Sequence, residues 1–414
     1  MDDAEQILQD VIQIRTDGDY EARVADYLLK LLDTHNITTK KIEFSKNRSG
    51  FIAEIGNDQG PVLGFAGHED TVALSNPADW TKDPLGGQKV DQRIYGRGAT
   101  DMKAGLVAAV LAMINLKEQH IPLKGKFRIY GTVGEESGEE GAEKMVAAGM
   151  ADDLEALMVG EPSGISLKVL QKLSSSLEKL GIVTASDVTE LLNYNQSSEQ
   201  HFLEIAHKGA LSYDIISHGQ TAHSSMPSLG INAVDGLLRF IYEQNIYFEE
   251  LVKSNNSLLG TTTPVITKIS GGEQLNTIPG EARLSILIRT IPEISNQQII
   301  DQLHKILSKV NAKVESQLTM KINFIHEPVF SSSQSKLSKI AQTVGEPLLQ
   351  QKLGFIGVPG GTDASQFVKA NPQLDVLVFG PGNTSAHQVD EYVDTEIFHN
   401  FIKVYEQIVA RYLA

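Results

Sequence analysis

The chain has 414 residues, of which 41% are hydrophobic and 21% charged, and its formal net charge at pH 7 is −16. A globular chain of this length is expected to form two or three domains rather than a single core, and its acidity argues against a nucleic-acid partner. The chain contains no cysteine, which excludes disulfides, thiolate nucleophiles and thiolate metal ligands. Any bound metal must therefore be held by His, Asp and Glu side chains.

The N-terminus has none of the features of a targeting segment. Residues 1–5 are mostly acidic, and neither the basic nor the apolar region of a signal peptide follows them. No apolar run of about 18 residues, the length needed to span a bilayer, occurs in the chain. The sequence therefore predicts a cytoplasmic protein with no membrane partner.

The first part of the chain predicts helices followed by strands. Apolar residues at helical spacing indicate two amphipathic helices within residues 4–35. Two strands, 38–44 and 51–55, are expected to pair around a turn. The run 61–67 is apolar throughout and is expected to be a buried strand.

Three polar residues, His68, Glu69 and Asp70, follow this buried strand. Side chains two positions apart in an extended chain point the same way, so His68 and Asp70 face together and Glu69 faces away from them. A carboxylate beside an imidazole suits a metal-bound histidine whose second nitrogen is oriented by that carboxylate. A surface turn explains the same short pattern, so the pair alone does not decide.

A glycine-rich segment, residues 94–105, leads into a predicted apolar helix. Asp101 lies at the start of this helix, where capping of the helix is a sufficient explanation for an aspartate. The crowding of Gly96, Gly98 and Gly105 around it indicates, as the alternative, a close approach of the backbone to that carboxylate. The segment lacks the Lys-Ser/Thr ending of a phosphate-binding loop.

Two adjacent glutamates, Glu135 and Glu136, follow an apolar run at 127–133 that is expected to be a buried strand. Neighbouring carboxylates repel each other, so the pair is tolerated best if one binds a cation while the other exchanges a proton. An acidic turn that leads into the next helix is the alternative.

A further apolar strand, residues 156–159, ends beside Glu161, so several strand ends in this part of the chain deliver a potential metal ligand. The alternation of strands and helices predicts an α/β sheet, and sites in such sheets form beyond the carboxyl ends of the strands. Residues 165–198 carry leucines at helical spacing and predict one or two helices without evident chemistry.

The order of predicted elements changes between residues 208 and 326. It becomes strand, helix, strand, strand, helix, strand, which is the split βαβ pattern of a self-contained domain. The loops and strand ends of this part hold His223, Asn276 and Arg289. These side chains could bind an anionic substrate or polarise a carbonyl, and turn chemistry with a surface arginine is the alternative.

The remaining chain returns to alternating helices and strands. A predicted helix precedes a glycine turn formed by Gly360, Gly361 and Thr362. A strand at 374–379 then precedes His387, and an amphipathic helix closes the chain.

The candidate metal and acid–base residues are two imidazoles and four carboxylates: His68, Asp101, Glu135, Glu136, Glu161 and His387. This set of nitrogen and oxygen donors suits two divalent ions, with zinc as the first expectation, one carboxylate bridging the ions and one left as a base. Two such ions can lower the pKa of a shared water and polarise a substrate carbonyl. The spare glutamate would then carry the proton from water to a leaving amine. The set predicts amide hydrolysis without a covalent intermediate.

The motifs around these residues resemble those of the co-catalytic zinc aminoacylase and carboxypeptidase family, which contains succinyl-diaminopimelate desuccinylase, acetylornithine deacetylase and carnosinase-type dipeptidases. The resemblance covers nearly the whole chain, and five motifs occur in the order of that family: residues 67–70, 95–103, 134–136, 160–163 and 386–387. The segments 380–383 and 386–392 are most similar to the desuccinylases of the family.

This resemblance implies an α/β fold, with a mixed-sheet zinc-peptidase-like catalytic domain and an inserted α+β, ferredoxin-like lid and dimerisation domain. The expected boundaries are residues 1–207 and 327–414 for the two parts of the catalytic domain and residues 208–326 for the lid. Residues 165–206 are longer than the link expected there and are interpreted as an unusual insertion.

The resemblance also implies two ligand sets that share Asp101 as a bridge: His68, Asp101 and Glu161 for one zinc ion, and Asp101, Glu136 and His387 for the other. Glu135 would be the general acid and base. Asp70 would orient His68.

Other residues are expected to contact the substrate by the same resemblance. His223 would stabilise the oxyanion, in one version across a dimer. Asn276 and Arg289 would bind the substrate carboxylate, and the turn of Gly360, Gly361 and Thr362 would line the substrate pocket.

The expected activity is metal-dependent hydrolysis of an N-acyl amide beside a free carboxylate. The first candidate substrate is N-succinyl-LL-2,6-diaminopimelate, cleaved to succinate and LL-2,6-diaminopimelate in the biosynthesis of lysine and diaminopimelate. An acetylornithine deacetylase or a metallo-dipeptidase is the alternative, and cobalt or manganese would suit the ligands as well as zinc. From other classes, a catalytically silent metal-binding module and an acidic scaffold with incidental histidines stay open. The resemblance further implies a homodimer formed through the lid domain.

Overall fold

The structure is a computed structural model that describes residues 3–170, 193–195 and 197–414. The chain divides into two compact units. The first unit comprises Met1–Ala206, Val329–Gly357 and Thr362–Ala414, and the second unit comprises His207–Pro328 and Val358–Gly361.

The first unit begins with two amphipathic helices and then builds most of its sheet. Its elements before the second unit are α1 (Ala4–Gln13), α2 (Ala22–Thr34), β1 (Thr38–Ser45), β2 (Arg48–Gly56), β3 (Val62–His68), β4 (Gln88–Val90), β5 (Arg93–Tyr95), α3 (Lys103–Glu118), β6 (Lys126–Thr132), α4 (Glu140–Ala147), β7 (Leu154–Pro162), β8 (Gly164–Ser166), β9 (Glu199–His201) and β10 (Leu203–His207).

The second unit has the predicted strands and helices in the predicted order, with two additional two-residue strands after its first helix. Its elements are β11 (Gly209–His218), α5 (Ala233–Leu251), β12 (Asn255–Asn256), β13 (Gly260–Thr261), β14 (Thr263–Gly271), β15 (Glu281–Thr290), α6 (Asn296–Asn311) and β16 (Gln317–His326). The chain then completes the first unit with β17 (Val329–Phe330), α7 (Lys336–Leu349), β18 (Phe355–Val358), α8 (Ala364–Ala370), β19 (Asp375–Gly380), β20 (Tyr392–Asp394) and α9 (Thr395–Tyr412).

The first unit is organised around a nine-stranded mixed sheet, in which the described strands follow the order β1-β2-β6-β3-β7-β19-β10-β17 and β18 pairs with β10. The four central strands, β6, β3, β7 and β19, are parallel to one another. All seven residues of β3 are buried, as expected for a parallel strand that is covered on both faces. The carboxyl ends of these four strands therefore meet at one edge.

Helix α3 packs closely against the central strands because it is rich in small residues. Nearly all of its residues are buried, and a Cβ atom added at Gly105 would lie 2.0 Å from the carbonyl oxygen of Gly160 in β7. Only glycine permits this approach. The contact fixes α3 against the part of β7 that precedes Glu161.

The second unit contains a four-stranded antiparallel sheet with the order β14-β15-β11-β16. Alternate residues of β15 are buried, and they form a core with the apolar faces of α5 and α6. Strand β14 lies at the edge of this sheet, and nearly all of its residues are exposed.

Residues 165–206 differ from the sequence prediction in the parts that the structure describes. The helix expected from residue 165 is wrong at its start, because β8 pairs there with β9 in an antiparallel arrangement. Strand β10 was not predicted, and it joins the main sheet beside β19. Most of the expected helical segment, residues 171–192 and residue 196, lies outside the described residues. No helix in the described part of the chain is long and apolar enough to cross a membrane.

Candidate active site

The candidate ligands of the first unit lie at the carboxyl edge of the four parallel strands. His68 is the last residue of β3, and Glu161 lies near the end of β7. Glu135 and Glu136 occupy a single 3-10 turn directly after β6. The strand order brings these positions together, because β3 lies between β6 and β7.

Asp101 joins this cluster from the loop that precedes α3. The helix begins at Lys103 with Met102 at its N-cap position, so the capping explanation for Asp101 is wrong. The Oδ1 atom of Asp101 lies 3.0 Å from Nε2 of His68, and its Oδ2 atom lies 3.2 Å from Nε2 of His387. One carboxylate therefore contacts both imidazoles.

Each imidazole also contacts a second carboxylate. Nε2 of His68 lies 3.4 Å from Oε1 of Glu161, and Nε2 of His387 lies 3.0 Å from Oε1 of Glu136. His387 follows β19 and has a φ of 62°, a left-handed conformation that non-glycine residues adopt rarely. The structure thus brings all five predicted ligands into one cluster.

Two groups in this cluster have a geometry that could hold a metal ion. They are His68 with Asp101 and Glu136, and His68 with Glu135 and Glu161, and the donor atoms of each group lie within 4.8 Å of one another. Glu135, which was expected to be the base rather than a ligand, is therefore within reach of the same volume. A carboxylate at this position can either bind a cation or receive a proton beside it.

Asp70 has different contacts from those expected. Nδ1 of His68 lies 2.9 Å from the main-chain oxygen of Asp70 but 3.7 Å from its carboxylate. The side chain of Asp70 instead accepts hydrogen bonds from the main-chain N–H groups of Glu135 and Glu136, both at 3.2 Å. The backbone of Asp70 orients His68, and its carboxylate holds the turn that carries the two glutamates.

The crowding of carboxylates displaces the pKa values of the cluster. Burial and then the neighbouring Glu161 raise the pKa of Glu135 well above its usual value. Burial and then Asp101 raise the pKa of Glu161 to about 8. Hydrogen bonds to Asp101 and then to Glu136 raise the pKa of His387 to about 10. Without a cation, the cluster would hold protons to offset its own negative charge.

The donor set fits a divalent cation. Nδ1 of His68 faces a main-chain carbonyl, so with a cation bound this nitrogen would keep the proton of the ring and the lone pair of Nε2 would be available to the cation between the carboxylates of Asp101 and Glu161. A lone pair and two carboxylates repel one another unless a positive charge lies among them. Imidazole nitrogen and carboxylate oxygen are the ligand types that zinc accepts.

The second unit holds the other predicted side chains. The loop of His223 pairs with the loop of Asn276, through a hydrogen bond of 2.8 Å from the N–H of Ser224 to the oxygen of Asn276, and both His223 and Asn276 are exposed. Arg289 is half-buried on the face of β15 opposite the core, beside Ala210 of β11.

Predicted residues of the glycine turn fall on both sides of the division between the units. Gly360 and Gly361 belong to the second unit, and Thr362 begins a segment of the first unit. A Cβ atom added at Gly360 would meet no atom within 4 Å, so the packing of this turn does not require glycine there. Thr362 is buried, and its Oγ1 atom accepts a hydrogen bond from the N–H of Ala364 at 3.2 Å.

Two buried residues near the cluster were not assigned a role from the sequence. Arg97 and Glu391 form an ion pair next to Asp101. Arg97 belongs to the glycine-rich segment before α3, and Glu391 belongs to the segment after His387. The sequence did give one signal, because each of these charged residues lies in a segment that also carries a candidate ligand. Neither segment alone, however, could predict that the two residues pair.

Comparison with known proteins places the chain among metallohydrolases. A family model described as peptidase family M20/M25/M40 matches residues 64–411. A Staphylococcus aureus protein named probable succinyl-diaminopimelate desuccinylase is 32% identical, over 99% of this chain and 97% of that protein.

Two solved structures have a similar fold. An M20 family metallo-carboxypeptidase from Sulfolobus solfataricus has a TM-score of 0.72 at 18% identity, over 100% of this chain and 99% of that one. A Bacillus subtilis protein described as a dinuclear metal binding peptidase from the M20 family has a TM-score of 0.67 at 15% identity, over 99% of this chain and 97% of that one. At these identities the comparison establishes the fold.

Proposed function

The chain belongs to peptidase family M20/M25/M40 and is a hydrolase of that family, and from this premise we propose that it uses two divalent metal ions to hydrolyse an N-acyl amide beside a free carboxylate. The observation that carries the proposal is the meeting of His68, His387 and their surrounding carboxylates around Asp101 in one unit. Such a concentration of negative charge is tolerated when cations neutralise it.

The residues fall into two proposed ligand sets that share Asp101. His68 and Glu161 would complete one set, and Glu136 and His387 would complete the other. When bound, two divalent ions would lower the pKa of a water molecule and polarise the carbonyl of the substrate. Zinc is the first expectation for a nitrogen and oxygen donor set, and cobalt and manganese are accepted by the same donors.

Glu135 is the proposed general base and acid. It lies at the cluster without a hydrogen bond to either histidine, and its main chain is held by Asp70. Burial and the neighbouring carboxylates raise its pKa, which suits a group that takes a proton from water and returns it to the leaving amine. The same glutamate therefore serves both halves of the reaction.

His223 is the proposed donor to the oxygen on which negative charge develops. Its Nδ1 atom accepts a hydrogen bond from the N–H of Ser225 at 3.1 Å, so the proton of the neutral ring lies on Nε2. A neutral imidazole with Nε2–H exposed can donate to an oxyanion.

A cationic part of the second unit supports recognition of a substrate carboxylate. Burial and then the charge of Arg289 lower the pKa of Lys208, so two cationic side chains influence each other there. Nζ of Lys208 donates to the main-chain oxygen of Thr261 and to Oγ1 of Thr263, which leaves Arg289 as the proposed partner of the carboxylate, together with Asn276. Arginine binds carboxylates through two parallel hydrogen bonds.

The proposed substrate is N-succinyl-LL-2,6-diaminopimelate, because the full-length relative at 32% identity carries the desuccinylase name. Acetylornithine and dipeptides are the second candidates, since the relatives of the same fold include a carboxypeptidase and Arg289 suits any free carboxylate. A catalytically silent metal-binding module is the third candidate. Such a module would not need a general base, and the presence of Glu135 therefore argues against it.

The test is a panel of N-succinyl, N-acetyl and dipeptide substrates offered to the full chain loaded with zinc, cobalt or manganese, with amine release as the readout. We expect turnover of N-succinyl-LL-2,6-diaminopimelate to exceed that of the other substrates. If acetylornithine or a dipeptide were preferred, the proposed substrate would be wrong, but the proposed metal-dependent hydrolysis of an amide would stand. Absence of amine release from every substrate would contradict the proposed function.

A further inference from the structure

Arg97 and Glu391 form an ion pair inside the first unit. The exposed fraction is 1% for Arg97 and 0% for Glu391, and Nη1 of Arg97 lies 2.5 Å from Oε2 of Glu391. The two residues are 294 positions apart in the sequence. Neither belongs to the candidate ligands.

The second oxygen of Glu391 holds the backbone on which Asp101 is carried. Oε1 accepts hydrogen bonds from the main-chain N–H of Thr100 at 2.9 Å and from that of Asp101 at 3.1 Å. The main-chain oxygen of Glu391 accepts a further bond from the N–H of Gly96 at 2.9 Å. The loop before α3 is therefore fixed at several points by one residue.

Arg97 reaches from the same loop to two other segments of the site. Nη1 donates to the main-chain oxygen of Gln388 at 3.2 Å, next to His387, and Nη2 donates to that of Ala73 at 3.3 Å. The planar guanidinium can make these bonds together because its donors diverge in fixed directions. The ion pair thus ties the loop of Asp101 to the loop of His387.

A second contact joins the same two loops. Oγ1 of Thr100 donates to the main-chain oxygen of Tyr392, and Nδ2 of Asn383 donates to the same oxygen at 3.1 Å. The Arg97–Glu391 ion pair and these hydrogen bonds to Tyr392 therefore join the two loops near the point where Oδ2 of Asp101 lies 3.2 Å from Nε2 of His387.

Stability alone does not account for the pair. Burying two charges costs free energy that their attraction only partly offsets, and well-packed apolar residues often serve a core as well. An ion pair at this place has the additional effect of fixing main-chain groups on both loops. Groups that orient metal ligands in this way typically change metal affinity by about 10- to 100-fold when they are removed.

We propose that the Arg97–Glu391 ion pair positions Asp101 relative to His387, and so sets the affinity of the ligand set of Asp101, Glu136 and His387 for its divalent cation. This inference rests on the proposed function, because it takes that ligand set as given. Arg97 and Glu391 are positioning residues, since they act through Asp101 and His387.

The proposal predicts that the two ligand sets respond differently. His68 and Glu161 lie on β3 and β7, whose places are fixed by the ladders of the central sheet. His387 lies on an exposed loop after β19, with 52% of its side chain exposed, and this loop depends on the pair. Asp101 belongs to both ligand sets, so loss of the pair is expected to weaken both metal sites. The site of His387 is expected to weaken more, because both Asp101 and His387 lose support there.

The experiment measures zinc binding to the full chain with Glu391→Gln and, separately, Arg97→Lys. The carboxamide of Glu391→Gln cannot accept hydrogen bonds both from Arg97 and from the N–H groups of Thr100 and Asp101, because its nitrogen is a donor. Arg97→Lys keeps the positive charge but removes the two guanidinium nitrogens that donate to the main-chain oxygens of Gln388 and Ala73. Metal-free protein is titrated with zinc in competition with a chromophoric chelator, and bound zinc is counted by elemental analysis.

The matched control is Arg128→Lys. Arg128 is also buried and bonds both carboxylate oxygens of Asp153, at 2.5 and 2.9 Å, but its contacts do not involve the candidate ligands. Thermal unfolding of each metal-free variant reports any general loss of structure. Arg97→Lys keeps the test decisive if Glu391→Gln does not fold.

We expect the wild type and Arg128→Lys to bind two zinc ions per chain. For both test variants we expect the dissociation constant of the more weakly bound ion to rise about 10- to 100-fold and that of the other ion to rise by a smaller factor. Two ions bound with unchanged affinity in both variants would overturn the positioning role and leave the proposed function intact. A wild type that binds no zinc would overturn both, and equal weakening of the two ions would contradict the selective role.

Discussion

Glu135 is the residue whose chemistry separates an enzyme from a metal-binding module. We expect Glu135→Gln to lower kcat on the order of 100- to 10,000-fold, because the carboxamide has the same shape but cannot accept a proton. Zinc content should stay at the wild-type level, since the amide leaves the five proposed ligands in place. Amine release and elemental analysis on the same sample check both parts.

The matched control for this variant is Glu143→Gln, the same change on an exposed residue of α4. It should leave kcat and zinc content unchanged. Turnover that survives in Glu135→Gln would refute the assignment of the base. Loss of zinc together with turnover would instead indicate that Glu135 is a ligand, as its place in one of the two candidate metal groups allows.

Asp70 gives a second residue-scale prediction, because its observed contacts differ from the expected ones. Its carboxylate holds the N–H groups of Glu135 and Glu136, whereas its backbone orients His68. We expect Asp70→Asn to lower kcat of the zinc-loaded protein by about 10- to 100-fold through displacement of Glu135, with some loss of zinc affinity because the same carboxylate holds the N–H of Glu136. If zinc affinity fell while kcat of the zinc-loaded variant stayed at the wild-type level, the carboxylate would act on the metal ligands rather than on Glu135.

At the scale of the element, strand β9 carries a buried carboxyl group. Glu199 is 1% exposed, and burial, with a contribution from Asp394, raises its pKa to about 8. The native state keeps this proton up to about pH 8, whereas the unfolded chain releases it near the usual value of 4.5. The stability that the protonated group contributes is therefore complete below pH 4.5 and is lost as the pH rises through 8.

Glu199→Gln should remove this loss, because the amide does not titrate. Each pKa unit corresponds to about 1.4 kcal/mol, so between pH 5 and pH 9 the wild type should lose at least about 2 kcal/mol of unfolding free energy relative to the variant. Urea unfolding of both proteins at the two pH values measures the difference. Parallel pH profiles would contradict the burial of a protonated Glu199, and Glu250→Gln on the exposed surface of α5 is the control.

The elements of the second unit could be predicted from the sequence because their signals are local. The alternation of apolar residues in β15 and the apolar spacing of α5 and α6 gave these elements with boundaries within a few residues. Strand β10 was missed because it pairs with β19, where Glu204 lies opposite Val378, a residue more than 160 positions away in the sequence. Pairing over such distances leaves no periodic signal in either segment.

In the candidate site, too, local patterns could be predicted from the sequence and contacts between distant segments could not. His68 and Glu161 could be predicted because each ends an apolar run. The helix-cap explanation for Asp101 could not be excluded from the sequence, because the position of an aspartate just before a helix fits both interpretations. The contact of its carboxylate with His387 and the ion pair of Arg97 with Glu391 are products of the tertiary fold.

At the scale of the whole molecule, the surface of the second unit bears on oligomeric state. The edge strand β14 exposes Val265 and Ile269, and α5 exposes Leu238, Tyr242 and Ile246 at a spacing of four residues. An unpaired edge strand with exposed apolar side chains is a site at which a second chain can add. We propose that two copies of the chain pair through this surface.

Light scattering should then give the mass of a dimer for the wild type and the mass of a monomer for Ile269→Lys. A charge on the edge strand opposes pairing without entering the core. Val90→Lys, which places the same charge on an exposed apolar residue of the first unit, should stay dimeric. A wild type that is monomeric at every concentration tested would contradict the proposed surface.

The proposed hydrolysis depends on metal held by the cluster around Asp101. The most direct measurement is amine release from N-succinyl-LL-2,6-diaminopimelate by the full chain before chelation, after removal of metal, and after zinc is added back in steps. We expect turnover to be lost when the metal is removed and to return as zinc binding approaches two ions per chain. Turnover that continues after elemental analysis finds the protein free of metal would contradict the account.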